Sequence, residues 1–255
     1  MVGKTKIKKR KLLVDGSVLV YRIASALEEA TEWDFDMWTL HADFSLGKQT
    51  LDNSIKYYLQ KLNCDEAIIA LDDKVNFRSQ VYPDYKSNRR GTRKPIIVKP
   101  LKEHLTKNYN CIIYPGLEGD DVLGILATSP EYQDNAVILS SDKDMRTIPG
   151  LHHFIHDGST ELVDEQTANY NFMYQTLKGD LTDNYPGCPK VGDVKAQRVL
   201  ALCPKDLLSM WKAVVAEYKR ADLDEAYALT QARLARILRN SDWDSKNKKP
   251  ILWKI

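Results

Sequence analysis

The chain has no apolar run approaching the roughly 20 residues that a bilayer-spanning helix needs, so no membrane span is expected. Cysteine is scarce. Cys64, Cys111, Cys188 and Cys203 fall at scattered spacings with no C-x-x-C, which argues against a zinc knuckle or disulfide framework and for a reducing cytoplasm. The five histidines (His41, His104, His152, His153, His156) show no metal-ligand spacing, and structural or exposed roles are expected for them. No G-x-x-x-x-G-K-[ST] is present, which disfavours a P-loop ATPase, and the absence of G-x-S-x-G removes the usual serine-hydrolase signal. Near the start, Lys4, Lys6, Lys8, Lys9, Arg10 and Lys11 are basic, but Leu12-Leu13-Val14 is cut off at once by Asp15. That apolar segment is too short for a signal peptide.

At 255 residues, with 43% apolar and 28% charged residues, the composition is that of a soluble globular protein with one large domain or a domain and an appendage. Net charge is only +2, yet it is unevenly placed. Between Asn76 and Lys107 stand nine bases (Arg78, Lys86, Arg89, Arg90, Arg93, Lys94, Lys99, Lys102, Lys107) against two acids, Asp84 and Glu103. Segregation of this kind suits either a solvated face or a polyanionic partner.

The chain is organised around Val137 to Met145, V-I-L-S-S-D-K-D-M, where an apolar run passes through a small polar turn into Asp142 and Asp144. Continuous apolar runs are the mark of strands buried on both faces of a parallel sheet, whose ligands collect beyond the carboxyl ends. The pattern recurs. Lys11 to Val14 ends in Asp15, Glu66 to Leu71 in Asp72 and Asp73, and Cys111 to Tyr114 is followed by Glu118, Asp120 and Asp121. Helix capping accounts for an acid at any one of these places, but not for all of them. Phe154-Ile155 suggests a fifth strand. Helices are expected over Val18 to Ala26, Leu46 to Leu62, from Pro95, over Thr167 to Lys178, and from Lys205 to Asn240. Glu28 to Phe44, with six acids and four large aromatics, reads as an irregular cover.

Phe77 to Thr92 is rich in turn formers, bases and tyrosines and is not expected to be core. Bases interleaved with Tyr82 and Tyr85 suit phosphate contacts and base stacking. Lys178 to Ala196 carries Asp180 and Asp183 together with three glycines and two prolines between helical segments; exposed backbone amides there suit a hairpin that grips a nucleic-acid phosphate.

On a parallel sheet the strand-end acids converge. Two unit charges about 4 Å apart repel by about 4 kcal/mol at an effective dielectric of 20, so several such pairs exceed a domain's stability margin unless cations are present. Carboxylates without His or Cys at ligand spacing select Mg²⁺ or Mn²⁺ over zinc. A carboxylate cage beside a basic, aromatic segment is a kit for phosphodiester hydrolysis.

V-D-G at Val14 to Gly16, D-Y-K-S-N-R at Asp84 to Arg89, G-L-E-G-D-D at Gly116 to Asp121, S-S-D-K-D-M at Ser140 to Met145 and G-D-L-T-D-N-Y-P-G at Gly179 to Gly187 occur in the order found in the 5′-nuclease (flap endonuclease) superfamily. The chain resembles that family over nearly its whole length, and within it the stand-alone 5′ to 3′ exonucleases of short-tailed T-odd-like bacteriophages. The resemblance implies a three-layer α/β/α sandwich with a mostly parallel central sheet, a PIN-like nuclease core over residues 1–178 with a basic arch near 76–107. A helix-three-turn-helix and helical region over 179–255 is implied to hold duplex DNA. It further implies a two-metal, Mg²⁺-dependent nuclease, with Mn²⁺ as a substitute, acting at 5′ ends or 5′ flaps of duplex DNA and removing RNA from RNA–DNA hybrids.

Carried onto this sequence, Asp15, Asp72, Glu118, Asp120, Asp142 and Asp144 resemble the inner metal ligands, with Asp121, Asp180 and Asp183 as the remainder of the set. Asp73 remains an alternative to Asp72, because the spacing to Phe77 is shorter than in many relatives. Lys86 and Arg89, nearest the scissile phosphate, join Asp15 and Asp142 as expected catalytic residues. Arg78, Tyr82, Tyr85, Arg90, Arg93, Lys94, Gly187, Lys190, Gly192 and Lys195 are the expected DNA-binding residues. The family's G-V-G-x-K-T-A is here Lys190 to Ala196, K-V-G-D-V-K-A, so the hairpin's phosphate contact falls to Lys190 or Lys195. A monomer in the cytoplasm is expected, with no membrane and no nucleotide cofactor. A non-catalytic binder of branched DNA, or a PIN-type ribonuclease, is the alternative. The first would tolerate loss of the acids; the second leaves Gly179 to Ala196 and the arch without a purpose.

Overall fold

The structure, a computed structural model, describes residues 10–255; the basic Lys4, Lys6, Lys8 and Lys9 lie outside the described residues. Strand β1 (Arg10–Asp15) leads into helix α1 (Gly16–Leu27), a hairpin of β2 (Glu29–Glu32) and β3 (Trp38–His41), and α2 (Phe44–Lys61). Then come β4 (Cys64–Ala70), the short α3 (Arg78–Val81), α4 (Val98–Asn108), β5 (Asn110–Ile112) and α5 (Gly119–Ala127). Strands β6 (Ala136–Ser140), β7 (Gly150–Phe154) and β8 (Thr160–Val163) complete the main sheet. Helices α6 (Glu165–Lys178), α7 (Asp193–Ala201), α8 (Leu207–Arg220) and α9 (Glu225–Ala235) follow, with two-residue strands β9 (Trp243–Asp244) and β10 (Lys249–Pro250) near the end.

The main sheet has the order β5-β4-β1-β6-β7-β8, parallel throughout except for the β7–β8 pair. Register decides where the acids go. Asp15 stands opposite Ala70 and Val14 opposite Leu139, so β1, β4 and β6 stop level with one another, and Asp15, Asp72 and Asp142 follow at one edge.

The apolar runs are continuous because both faces of the sheet are covered. Leu12, Val14, Val137 and Leu139 pack beneath α1, α2 and α4, against Leu19, Ile23, Leu51, Ile55, Leu101 and Leu105. Leu13, Ile68 and Ile138 point the other way, onto Val122, Leu123 and Ile125 of α5. Each such side chain taken fully out of water contributes about 1.5–3 kcal/mol. A third cluster belongs to the C-terminal helices, where Trp211, Val214, Tyr218, Ala228 and Ala232 pack against Phe172, Met173 and Leu177 of α6. Helix α6 thus shares its core with the C-terminal helices.

The differences from the sequence reading have local causes. Glu28 to Phe44 is not irregular but forms the β2–β3 hairpin, exposed on both faces and joined to no other sheet. The fifth strand lies earlier than Phe154-Ile155, because buried His152 and His153 interrupt its apolar pattern. β8 is an edge strand with only Val163 buried, which leaves it little apolar signal. The helix expected from Lys205 to Asn240 breaks at Asp222, which has a positive φ, and stops at Ala235. Phe77, Arg78 and Tyr85 are buried, so the basic segment is partly core.

Gly179 ends α6 with φ +72, and Gly187 has φ +65. A Cβ on Gly179 would stand 2.4 Å from the Gly187 amide nitrogen, and one on Gly187 would stand 2.3 Å from that of Gly179. Only two glycines allow the strands of this loop to touch. Gly179→Ala is expected to lower unfolding free energy by about 1–3 kcal/mol in denaturant titrations, combining strain and clash. Gly158→Ala, at the same φ of +72 but with nothing within 4 Å, is expected to cost less.

Candidate active site

At the carboxyl edge of β1, β4 and β6 opens a cavity of about 790 Å³, lined by Asp15, Asp72, Glu118, Asp120, Asp142 and Asp183 together with Lys86, Arg89, Arg93, Lys94 and Lys102. Glu118, Asp120, Asp142 and Asp183, with Asp144, also line a smaller void beside it. Each acid is held by the element that delivers it. Asp15 caps α1, its Oδ1 accepting from the Val18 amide at 2.9 Å while Oδ2 accepts from the Ser140 hydroxyl at 2.8 Å. Asp72 accepts from the Gly119 amide at 3.0 Å, the Ser17 hydroxyl at 2.7 Å and the Lys102 ammonium at 3.1 Å. Asp142 caps a single 3₁₀ turn through the Asp144 amide, and the Gln175 amide donates to Asp144 Oδ1.

The basic segment folds back onto these acids. Lys86, with φ +54, places its ammonium on Glu118 Oε1 and 3.5 Å from Asp183 Oδ2. The Tyr85 hydroxyl lies 3.0 Å from Glu118 Oε2 and 2.9 Å from Asp183 Oδ2, and Arg89 Nη2 donates to Asp183 Oδ1 at 2.6 Å. Backbone contacts fix the pose: the Lys86 amide donates to Asp183 O, and the Asn88 side chain donates to Leu181 O and Thr182 O.

Electrostatically the acids fall into two groups. Burial and the neighbouring Asp72 and Asp142 push Asp15 up to about 6, and burial with Asp142 and Asp180 pushes Asp144 up to about 7. Asp120 lies well above the carboxylate range, through burial and through Asp15, Asp142 and Glu118, with Lys86 opposing; Asp142 is raised by burial and Asp183. Glu118 is lowered despite its burial, because Lys86 and Arg78 face it. Asp72 is lowered likewise by Lys102.

Among the described residues no three His, Cys, Asp or Glu side chains are already drawn together as a metal cage. The sequence reading had the acids converge; they reach one cavity but stand apart, since like charges separate and Lys86 lies between two of them. The donor chemistry nevertheless fits hard divalent cations, for the cavity gathers six carboxylates and Lys86 offsets only part of the charge among the raised acids. His156, exposed as expected, borders this cavity, where it pairs with Asp157 at 3.2 Å.

Several expected site residues are engaged elsewhere. Asp73 accepts from the Gly116 and Lys74 amides at 2.7 Å and supports the turn before α5, so Asp72 is the one on the cavity wall. Asp121 is fully buried and bound by Arg78, which is itself buried. Neither is open to a metal or to DNA as the sequence suggested. Tyr85 is buried with its hydroxyl on the acids and presents no stacking face, whereas Tyr82 is half-buried against the helical cluster. Gly187 is buried, and its amide donates to Gln231. Lys195 pairs with buried Glu217, whereas Lys190 is exposed in a left-handed turn and Gly192 is the N-cap residue of α7. Arg90 and Lys94 are exposed, and Arg93 is held by Glu28. Asp180 lines an adjoining cavity of about 530 Å³ with Asp142, Asp144 and Asp183.

Ser17, Lys102, Ser140 and Gln175 are contacts that sequence reasoning missed. Ser140 stands two residues before Asp142 and could have been found there; Gln175, inside a helical repeat, carried no signal.

A parallel sheet whose strand-end acids and basic arch share one cavity is the architecture of a phosphodiester-cleaving enzyme. The family profile described as 5′-3′ exonuclease, N-terminal resolvase-like domain, matches residues 10–173. The exodeoxyribonuclease of Enterobacteria phage T3 is 31% identical, over 95% of this chain and 92% of its own length. The exonuclease of Escherichia phage T7 is 30% identical, over 95% and 93%. The fold matches a bacteriophage T5 flap endonuclease solved with DNA and metal ions, with a TM-score of 0.67 at 14% identity over 89% of each chain. The chain belongs to the 5′-3′ exonuclease family and is a nuclease.

The raised acids set a pH dependence. A carboxyl group whose pKa rises on folding binds more protons folded than unfolded, so stability falls as pH rises from near 4, the ordinary value, through about 6 for Asp15 and about 7 for Asp144. These acids are therefore expected to lower the melting temperature of metal-free protein between pH 5 and pH 8 at constant ionic strength, with His152 and His153, held low by burial, opposing them below about pH 6.5. A divalent cation held by these carboxylates would raise the melting temperature more at pH 8 than at pH 5, since carboxylate ligands must be deprotonated. Scanning calorimetry with and without Mg²⁺ checks both slopes.

Proposed function

We propose that this nuclease hydrolyses phosphodiester bonds near the 5′ ends of duplex DNA or at 5′ flaps, and that it requires Mg²⁺, for which Mn²⁺ substitutes. The observation that carries this reading is the shared cavity, with acids from three strand ends facing the Lys86–Arg89 arch. Asp15, Asp72, Glu118, Asp120, Asp142 and Asp144 would hold the cations, with Asp180 and Asp183 on the adjoining rim. When bound, divalent cations lower the pKa of an attacking water and neutralise charge on the departing oxygen.

The chain's own side chains do the rest. Lys86 and Arg89 take the scissile phosphate, exchanging Glu118 and Asp183 for phosphate oxygens as the substrate enters. Both are donors fixed by backbone contacts, so little reorganisation is needed as negative charge grows in the transition state. Arg93, Lys94 and Lys102 give the cavity mouth a positive wall that draws in the strand. Gly192 and exposed Lys190, at the start of α7, offer an amide and an ammonium to a duplex phosphate, as a helix-three-turn-helix does. Products carry a 5′ phosphate.

Attack by water does not use the 2′-hydroxyl, so the RNA strand of an RNA–DNA hybrid is a compatible substrate. The protein acts as a monomer in the cytoplasm. A purely binding role is disfavoured because burying several acids without catalytic use costs stability.

A 5′-labelled duplex, a flap and an RNA–DNA hybrid incubated with Mg²⁺ or chelator test the reading. Cleavage is expected only with metal. Asp142→Asn is expected to abolish turnover while leaving duplex binding in place; retained turnover would refute the role of the acids. Lys86→Ala is expected to lower the single-turnover rate by about 10²–10³-fold with little change in DNA affinity. An unchanged rate would remove Lys86 from the chemistry.

A further inference from the structure

Beneath the cavity lies a buried ion pair that hydrolysis does not use. Arg78 and Asp121 are 3% and 0% exposed. Arg78 Nη1 and Nη2 each donate to an Asp121 oxygen at 2.7 Å. The remaining donors are used as well. Nε reaches Leu234 O at 3.0 Å, Nη2 reaches Arg236 O at 2.6 Å, and Nη1 lies 3.4 Å from Glu118 Oε2. All five N–H groups of the guanidinium thus have acceptors. Asp121 is saturated in the same way: Oδ2 also accepts from the Glu118 amide at 3.3 Å, and Oδ1 from the Leu238 amide at 3.1 Å.

Three stretches of chain meet here. Arg78 sits at the foot of the basic segment, Asp121 in the first turn of α5, and residues 234–238 cross from the C-terminal helices. Glu118 is gripped at both ends, its amide by Asp121 and its carboxylate by Arg78, Tyr85 and Lys86. Burying charge on this scale costs stability, and an apolar pair would hold three segments together without that cost. A saturated fork offers fixed direction instead, because a planar guanidinium with five occupied donors has one orientation.

We propose that Arg78 and Asp121 are positioning residues that fix Glu118 in the geometry it needs to receive a divalent cation, and that residues 234–238 belong to the framework of the active centre. The inference rests on the nuclease reading for its purpose, though not for its geometry. Arg78→Lys keeps the charge but supplies three donors in place of five and cannot form the fork. Asp121→Asn keeps the shape and removes the charge.

The test compares both variants with Leu51→Ala, which opens the core on the far face of the sheet, where Leu51 is 0% exposed. Mn²⁺ binding without DNA, single-turnover cleavage of the flap and thermal melting are measured for each. Arg78→Lys is expected to weaken Mn²⁺ binding by about 10–100-fold, the usual consequence of removing an outer hydrogen-bonding partner of a ligand. Its kcat is expected to fall while KM for DNA holds, and excess Mn²⁺ is expected to recover part of the rate. Leu51→Ala is expected to melt earlier yet bind Mn²⁺ as the wild type does. If Arg78→Lys does not fold, Asp121→Asn carries the same comparison. Unchanged Mn²⁺ affinity in the folded variant, or an equal loss in Leu51→Ala, overturns the proposal. A wild type that binds Mn²⁺ but cleaves none of the DNA substrates would overturn the nuclease reading alone, since the affinities would still decide the role of the pair.

Discussion

Repulsion among carboxylates at one end of a parallel sheet is the constraint around which this molecule is arranged. Asp15, Asp72 and Asp142 reach that end because β1, β4 and β6 stop in register, and α5 adds Glu118 and Asp120. At separations near 4 Å each like pair costs about 4 kcal/mol at an effective dielectric of 20. The fold meets this in three ways. Lys86 and Lys102 neutralise Glu118 and Asp72, burial keeps Asp15, Asp120 and Asp144 inclined to retain protons, and the acids stand too far apart to form a ready cage. Divalent cations answer the same charge with fewer compromises, which is the physical reason such a site takes them.

The basic segment has two jobs, and they fall on different residues. Its buried part, Phe77, Arg78 and Tyr85, ties the segment to α5 and to the C-terminal cluster. Its exposed part, Arg89, Arg90, Arg93 and Lys94, faces the cavity or solvent. Lys86 stands between the two, in a left-handed backbone conformation that turns its side chain down onto the acids. One run of bases in the sequence therefore contains a structural foot and a cavity-facing arm.

The acids divide in the same manner. Asp73 and Asp121 belong to the scaffold, bonded to amides and to Arg78. Asp15 belongs to both groups, for its two oxygens cap α1 and hold Ser140 while the residue walls the cavity. Adjacent acids such as Asp120 and Asp121 project about 100° apart around the first turn of a helix, so one lines the cavity and the other is buried against Arg78.

How much of this was legible beforehand depends on what kind of signal a feature leaves. The continuous apolar runs at Leu12 to Val14 and Val137 to Leu139 fixed a sheet buried on both faces, and the acids after each run marked its functional edge, because burial and strand length are local properties of composition. The β2–β3 hairpin, β8 and the end of α9 escaped, since exposed strands and helix ends leave little apolar pattern. Which of Asp72 and Asp73, or of Asp120 and Asp121, faces the cavity could not be read from spacing. It follows from partners such as Lys102, Gly116 and Arg78, which are distant in the chain and meet these acids only when the sheet, the arch and the C-terminal segment are packed together.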